Sequence, residues 1–199
     1  TITDYIFNRA SYLPLPPTDG LVRRSNSGID FIPSSLRLSR AETVLAQAMF
    51  REQVLRDILE VIVPEGYDYL LIDCNPSMGI LLTNALVADR VLIPVQTEEF
   101  SVDGLEDMME LIQMVKANIN PHLGIVGLLP TLMTNTKDSR TVAAWLKQEF
   151  TGLVFDTGIG RYADAPRSVK AKKPIVGGKG KLAEQYMAAT TELLRRLEV

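Results

Sequence analysis

The stretch "YDYLLIDCNPSMG", Tyr67 to Gly79, decides how this sequence is read. Tyr69, Leu70, Leu71 and Ile72 lead directly into a carboxylate, Asp73. An Asn75-Pro76-Ser77 turn and a helix-like stretch follow. The pattern predicts a buried strand over Tyr69–Asp73 with an acid at its tip. A carboxylate in that place either caps the following turn or serves a site. The turn and Gly79 favour a site, because they set backbone N–H groups and a helix N-terminus beside the acid, an arrangement that suits an anion.

Working outward, the same unit repeats. A helix is expected from about Met78 to Ala88. Strand Val91–Val95 precedes a helix from about Val102 to Ala117, and strand Gly124–Leu129 precedes one from about Arg140 to Phe150. A short strand near Val154–Thr157 leads into a long basic loop and a closing helix from about Leu182 to Leu197. Upstream, Pro14, Pro16, Pro17 and Gly20, then Ser25 to Gly28, read as loop. Gly28–Ser35 gives a short strand. Ser39 is placed as the N-cap of a long helix with apolar positions at Val44, Leu45, Ala48, Met49, Val54, Leu55, Ile58, Leu59 and Ile62, stopped by Pro64 and Gly66. Apolar strands alternating with helices predict one α/β domain over residues 1–199, an open, mainly parallel sheet with helices on both faces. Ligands of such sheets bind at the carboxyl ends of the strands. Asp73, Gln96, Thr97, Glu98 and Thr131 are expected there.

Composition narrows the classes. The 199 residues are 46% apolar and carry a net charge of −3, enough chain for one sizeable core. One cysteine and one histidine leave no disulfide framework and no Cys/His zinc cluster. A reducing compartment is expected. No apolar run approaches the roughly 18–20 residues of a membrane span, and no signal peptide is visible. The first residue is Thr1, so the chain reads as a processed product or a fragment of something longer.

Several features compete as sites. Apolar residues ending on Asp73 have the form of a Walker-B strand, whose carboxylate orients Mg²⁺ beside nucleotide phosphates. "GGKGK", Gly177–Lys181, is a poor P-loop: the spacing is wrong, and Leu182 stands where a Mg²⁺-binding hydroxyl belongs. Arg161, Arg167, Lys170, Lys172, Lys173, Lys179 and Lys181 crowd one window opposed only by Asp164. They form either a solvated loop or a contact for phosphate backbones without base readout. Cys74 is expected to be a small buried residue at the strand end. His122 has no nucleophile to serve, and no G-x-S-x-G occurs. Asp103, Glu106, Asp107 and Glu110 suit the start of a helix as a solvated face or as a partner-binding surface. Trp145 is assigned to the core.

The order of motifs then carries a resemblance. Asp73, Asn75-Pro76-Ser77, Asn84-Ala85-Leu86, Ile93-Pro94-Val95-Gln96, Glu98 and Gly104-Leu105 follow one another as in the ParA/MinD superfamily of deviant-Walker ATPases, most closely its ParA partition branch. "NPHLGIVGLLPT", "DSRT" (Asp138–Thr141), "VFDT" (Val154–Thr157), "RYADAP" (Arg161–Pro166) and "KPI" (Lys173–Ile175) extend the similarity, and "TITDYIF" resembles the segment after the family's second strand. There are three departures. Asn75 stands where the family has proline, the stretch between Thr157 and Arg161 is about three residues short, and the defining K-G-G-x-G-K-[ST] loop is missing. In the family that loop precedes the point where this sequence begins.

The resemblance implies an ATP-dependent switch of plasmid or chromosome partition. ATP and Mg²⁺ are the expected cofactors. A homodimer, non-specific DNA and a ParB-like stimulating protein are the expected partners, in a cytoplasmic, nucleoid-associated setting without membrane. By analogy Asp73 is the catalytic carboxylate and holds Mg²⁺ through water. Asn75, Pro76 and Ser77 form the γ-phosphate-sensing turn, and Thr131, Arg161, Tyr162 and Pro166 lie near the adenine. Arg167, Lys170, Lys172, Lys173, Lys179 and Lys181 meet DNA. Without a P-loop the isolated chain is expected to be an inactive ATPase. The alternatives are a ParA-like protein that binds DNA or a partner without hydrolysis, a MinD-like membrane switch, and a cobyrinate-type amide synthase. The membrane switch lacks its basic terminal helix here, and the synthase lacks room for a fused glutaminase.

Overall fold

The computed structural model describes residues 1–63, 66–75, 77–97 and 102–198. Pro64, Pro76 and Glu98, which the sequence reading used, lie outside them. The chain forms two compact units, Thr1–Asp89 with Glu106–Leu123, and Arg90–Leu105 with Gly124–Val199.

The first unit is built on α1, Ile2–Ala10, a helix the sequence reading did not anticipate. Its inner face buries Tyr5, Ile6 and Ala10, and the Tyr5 hydroxyl donates to the Pro17 carbonyl at 2.8 Å, fastening the proline-rich loop. The strand expected over Gly28–Ser35 forms only as one arm of a small hairpin, β1 (Arg23–Arg24) with β2 (Asp30–Phe31).

The long helix expected from Ser39 is broken. A 3₁₀ turn over Leu36–Arg40 leads into α2 (Ala41–Leu45), and a second one over Arg51–Gln53 into α3 (Val54–Ile62). Ser39 is not a cap, since its hydroxyl donates to the Leu36 carbonyl. The chain turns at Phe50, which is left-handed at φ 53. Length gives the reason. An unbroken rod over that stretch would run roughly 36 Å, against roughly 14 Å for α1. Broken, it lays Leu45 and Ile58 into the same core as Tyr5. α4, Ile80–Ala85, locks onto α3 through buried Asn84. Asn84 Oδ1 accepts from the Leu55 amide at 3.0 Å, and its Nδ2 donates to the carbonyls of Arg51 (2.8 Å) and Ile80 (2.9 Å). The Leu55 amide belongs to the first turn of α3, where helix N–H groups lack partners within the helix.

Tyr69–Asp73 does not form a strand. Among the described residues no strand pairs with it, and Tyr69, Leu70 and Leu71 are 59%, 49% and 88% exposed. The stretch lines an apolar cleft of about 820 Å³ together with Ile6, Leu45, Leu55, Leu59 and Leu82. The physical reason is that neither edge is paired among the described residues. A strand of this composition is stable only when both its hydrogen-bonding edges and its apolar faces are taken up.

The second unit holds the parallel pair β3 (Arg90–Gln96) and β4 (Gly124–Thr131), in register from Arg90 opposite Gly124 to Gln96 opposite Thr131. A bulge after Val91 leaves Val126 as the extra residue. Gly127 follows it at φ 158, and a Cβ there would stand 2.5 Å from the Leu153 carbonyl oxygen. The strand expected near Val154 is reduced to a single parallel bridge with Leu128. α6 (Lys137–Glu149) is capped by Thr136, three residues earlier than expected. α8 spans Lys181–Leu197, and α5, Val102–Asn118, belongs to this unit only up to Leu105. An additional helix, α7 (Asp164–Ala171), occupies the stretch read as basic loop. The architecture is an α/β fold with a parallel sheet and helices, as expected.

α8 is fastened to β4 by one buried pair. Arg196 donates to Glu192 at 2.7 Å and to the carbonyls of Val126, Gly152, Leu153 and Val154 at 3.2, 3.3, 3.0 and 2.8 Å. Its guanidinium lies 4.4 Å from the centre of the Phe155 ring. Glu192 accepts the amides of Asp156 and Thr157 at 3.0 and 3.2 Å. Burial alone would push Glu192 up. Those amides and Arg196 outweigh it and hold the carboxyl below its ordinary 4.5. Because the folded value is the lower one, the contribution of Glu192 is complete above pH 4.5 and disappears as the pH falls through the folded value. Arg196→Ala, which strands Glu192, is expected to cost about 3 kcal/mol in urea unfolding at pH 7. The gap between variant and parent should narrow on acidification below the carboxylate range, and a constant gap down to pH 3 would contradict this account.

Candidate functional site at the carboxyl edge of the sheet

Gln96 and Thr131 close the β3–β4 register, so both stand at the carboxyl edge. The Thr97 amide donates to the Thr131 carbonyl at 3.1 Å and carries the pairing one residue further. Beyond β4 the chain turns through Leu132, left-handed at φ 51. Met133 is then strapped to a later segment: its amide donates to the Ile159 carbonyl at 3.0 Å, and its carbonyl accepts the Arg161 amide at 2.9 Å. The Gly160 amide donates to Gln185 of α8 at 2.9 Å. Ile159 is buried with Leu182 and Ala189, and half-buried Tyr162 packs on that cluster. The structure thus brings Thr131, Arg161 and Tyr162 to one strapped corner, while Pro166 sits exposed within α7.

Asp73, Asn75 and Ser77 belong to the other unit and are exposed. The Glu42 carboxylate lies against the turn, with Oε1 2.2 Å from where a Cβ on Gly79 would stand. Among the described residues no group of three or more His, Cys, Asp and Glu could hold a metal ion. One exposed carboxylate still suits Mg²⁺, which keeps several waters and takes its remaining ligands from phosphates.

Cys74 corrects an expectation: it is exposed, not buried, because the strand that would have enclosed it does not form. Its sulfur lies 3.6 Å from the Ile72 carbonyl oxygen. Partial desolvation of the thiol, and then the Asp73 charge, push its pKa above the ordinary 9.0.

All seven basic residues between Arg161 and Lys181 are exposed. Arg167 and Lys170 sit on α7, with Arg167 3.5 Å from Asp164. Lys172 ends α7 in a left-handed conformation, and the Ser168 hydroxyl donates to the Lys173 carbonyl. "GGKGK" is a turn into α8, with Gly177 and Gly180 at positive φ.

Three structural interactions escaped the sequence reading. Thr97 was placed at the edge, but its buried hydroxyl contact with Ser139 carries no local signature. Asn84 looked like a motif letter and is a remote helix cap. Glu192 and Arg196 are an i, i+4 pair, the spacing of exposed helix pairs, here turned inward.

Parallel strands covered by helices make this an α/β protein whose fold is similar to that of the P-loop partition NTPases. Residues 17–125 match the family described as an AAA domain. The chain is 34% identical over 186 residues to the chromosome partitioning protein ParA of Caulobacter vibrioides, covering 91% of this chain and 70% of that protein. It is 35% identical over 173 residues to the sporulation initiation inhibitor protein Soj of Bacillus subtilis, covering 83% and 66%. It therefore belongs to the ParA/MinD superfamily. An ATP complex of Cyanothece McdA superposes with a TM-score of 0.82 at 22% identity, over 100% of this chain and 75% of that one, a likeness of fold alone. Cobyrinic acid a,c-diamide synthase from Mycobacterium smegmatis gives 0.76 at 26%, over 100% and 73%. The chain spans 57% of the length of a Mycobacterium tuberculosis relative and 66% of a Pseudomonas putida one.

The raised thiol of Cys74 makes a solution prediction. Alkylation by iodoacetamide at pH 7.5 is expected to lag an unstructured cysteine peptide despite the exposure, since only thiolate reacts. The rate should climb about tenfold per pH unit up to the raised pKa. A rate equal to the peptide's at pH 7.5 would contradict the raised pKa.

Proposed function

We propose that this chain is the larger part of a ParA-like partition ATPase, a switch that dimerises with ATP, binds DNA without sequence preference and is stimulated by a ParB-like partner. The observation that carries the reading is the strapped corner of Thr131 with Arg161 and Tyr162, in a chain one-third identical to a chromosome partitioning ParA. Two structural neighbours support the nucleotide: the Mycobacterium smegmatis synthase, 26% identical, is solved with ADP and magnesium. A putative plasmid partition protein from Borrelia burgdorferi is solved with AMPPNP.

In this reading Asp73 would hold Mg²⁺ through water, and Asn75, Pro76 and Ser77 would form the γ-phosphate-sensing turn. Mg²⁺ when bound neutralises the charge that builds up on the phosphates. Thr131, Arg161, Tyr162 and Pro166 border the base. The K-G-G-x-G-K-[ST] loop is not among these 199 residues, and no residue within them is assigned its part. The cytoplasm and the nucleoid are the proposed location. The unpaired Tyr69–Asp73 stretch favours one second reading, a ParA-like binding protein that does not hydrolyse ATP.

A P-loop gives the phosphates several charge-assisted hydrogen bonds, each contributing on the order of 1.5–3 kcal/mol. Losing three weakens binding by roughly 5–9 kcal/mol, several decades in Kd. Calorimetric titration of ATP–Mg²⁺ into the 199-residue chain is expected to give no micromolar binding, and a phosphate-release assay no turnover. With an N-terminal strand, P-loop and helix restored, both should return, and Asp73→Ala should then abolish turnover. Tight binding by the isolated chain would sink this division of labour.

DNA contact makes a separate prediction. In the full-length ATP-bound protein, duplexes of unrelated sequence should bind about equally. Affinity should fall steeply with salt, each neutralised phosphate adding roughly 0.9 to the log–log slope. Replacing Lys172 and Lys173 by alanine should lower that slope. An unchanged slope and affinity would return the segment to a solvated surface.

A further inference from the structure

The turn that ends β4 is closed by residues from two other elements. From Thr131 to Thr134 the chain bends at left-handed Leu132, a conformation that bulky residues adopt rarely. The Thr134 amide donates to Ser139 Oγ at 3.1 Å, and Ser139 Oγ lies 2.7 Å from Thr97 Oγ1. Thr97 Oγ1 in turn reaches the Thr131 carbonyl at 3.4 Å. Thr97 and Ser139 are 1% and 0% exposed. One proton arrangement satisfies every member: the Thr134 N–H donates to Ser139, the Ser139 hydroxyl to Thr97, and the Thr97 hydroxyl to the Thr131 carbonyl. The relay joins the Thr131 carbonyl to the Thr134 amide across the bend. Met133, inside the turn, carries the strap to Ile159 and Arg161.

We propose that Thr97 and Ser139 are positioning residues for the base side of the nucleotide site, a role that rests on the nucleotide reading above. Their hydroxyl relay holds the left-handed turn. The turn sets Thr131, and through Met133 it sets where Arg161 and Tyr162 stand. Neither hydroxyl touches the nucleotide. Each is buried and satisfied through the other, so removing one leaves the other short of a partner.

The test is amide hydrogen exchange by NMR on the 199-residue chain. In Thr97→Val, which keeps the shape and removes the hydroxyl, the Thr134 and Arg161 amides are expected to exchange about tenfold faster relative to amides within β3. Thr97→Ser, which keeps the hydroxyl, should stay near the parent. Ser139→Ala carries the same comparison if Thr97→Val does not fold. Uniform acceleration of all amides, or none at Thr134 and Arg161, would overturn the proposal. A second measurement in the full-length protein compares ATP with inorganic tripolyphosphate, which has no base. The variants should lose about tenfold in ATP affinity and keep their tripolyphosphate affinity, and an equal loss of both would overturn base-side positioning. A parent protein that does not prefer ATP over tripolyphosphate would sink the nucleotide reading, while the exchange result still decides whether the relay holds the turn.

Discussion

The buried Glu192–Arg196 pair is the interaction on which the second unit depends. A guanidinium has five N–H donors and no acceptor, so it is costly to bury unless nearly every donor is used. Here four backbone carbonyls and a carboxylate use them, and the Phe155 ring covers the face. Two of those carbonyls, Leu153 and Val154, belong to the segment that meets β4 by a single bridge. A strand with so little ladder of its own gains its third side from α8. The bulge in β4 has the same origin, because Val126, the extra residue, gives its carbonyl to Arg196. Gly127 beside it lets the Leu153 carbonyl approach closer than any Cβ would permit.

The first unit faces the opposite problem, an apolar stretch that pairs with no strand among the described residues. Tyr69 to Ile72 has the composition of a central strand, yet it lies extended along an apolar cleft with Leu71 almost fully exposed. Contiguous apolar surface of this kind marks a place where another element belongs. The remainder of the unit manages without it because α1, α2, α3 and α4 close their own core, with Asn84 Oδ1 accepting from the Leu55 amide of α3, which Gln53 leaves uncapped.

What was legible in the sequence follows from how local each signal is. β3, β4, α5, α6 and α8 were placed within a few residues because their periodicity is self-contained. Phe50 was not foreseen as a break, since nothing in "AQAMFRE" forbids helix. The break comes from the short length of α1, a tertiary fact. Tyr69–Asp73 failed for the converse reason: strand pattern states a preference, and pairing decides the outcome. At the edge of the sheet, Thr131 and Arg161 were both singled out, but the strap at Met133 that unites them runs through backbone groups, which no side-chain motif records.

The same distinction bears on the basic window. Read as charge alone, Arg161 to Lys181 is a loop of cations. Folded, part of it is α7, with Arg167 and Lys170 one turn apart and Lys172 turned by a left-handed cap. Fixed spacing matters for any polyanion, because ordering a long cationic side chain costs up to about 2 kcal/mol in rotamer entropy, with backbone ordering added in a loop. A helix has met the backbone part of that cost before an anion arrives. Exposed Val169 on the same helix is then tolerable, being a single residue among cations and not part of an apolar face. The spacing of Arg167 and Lys170 is thus set by helix geometry, which composition does not predict.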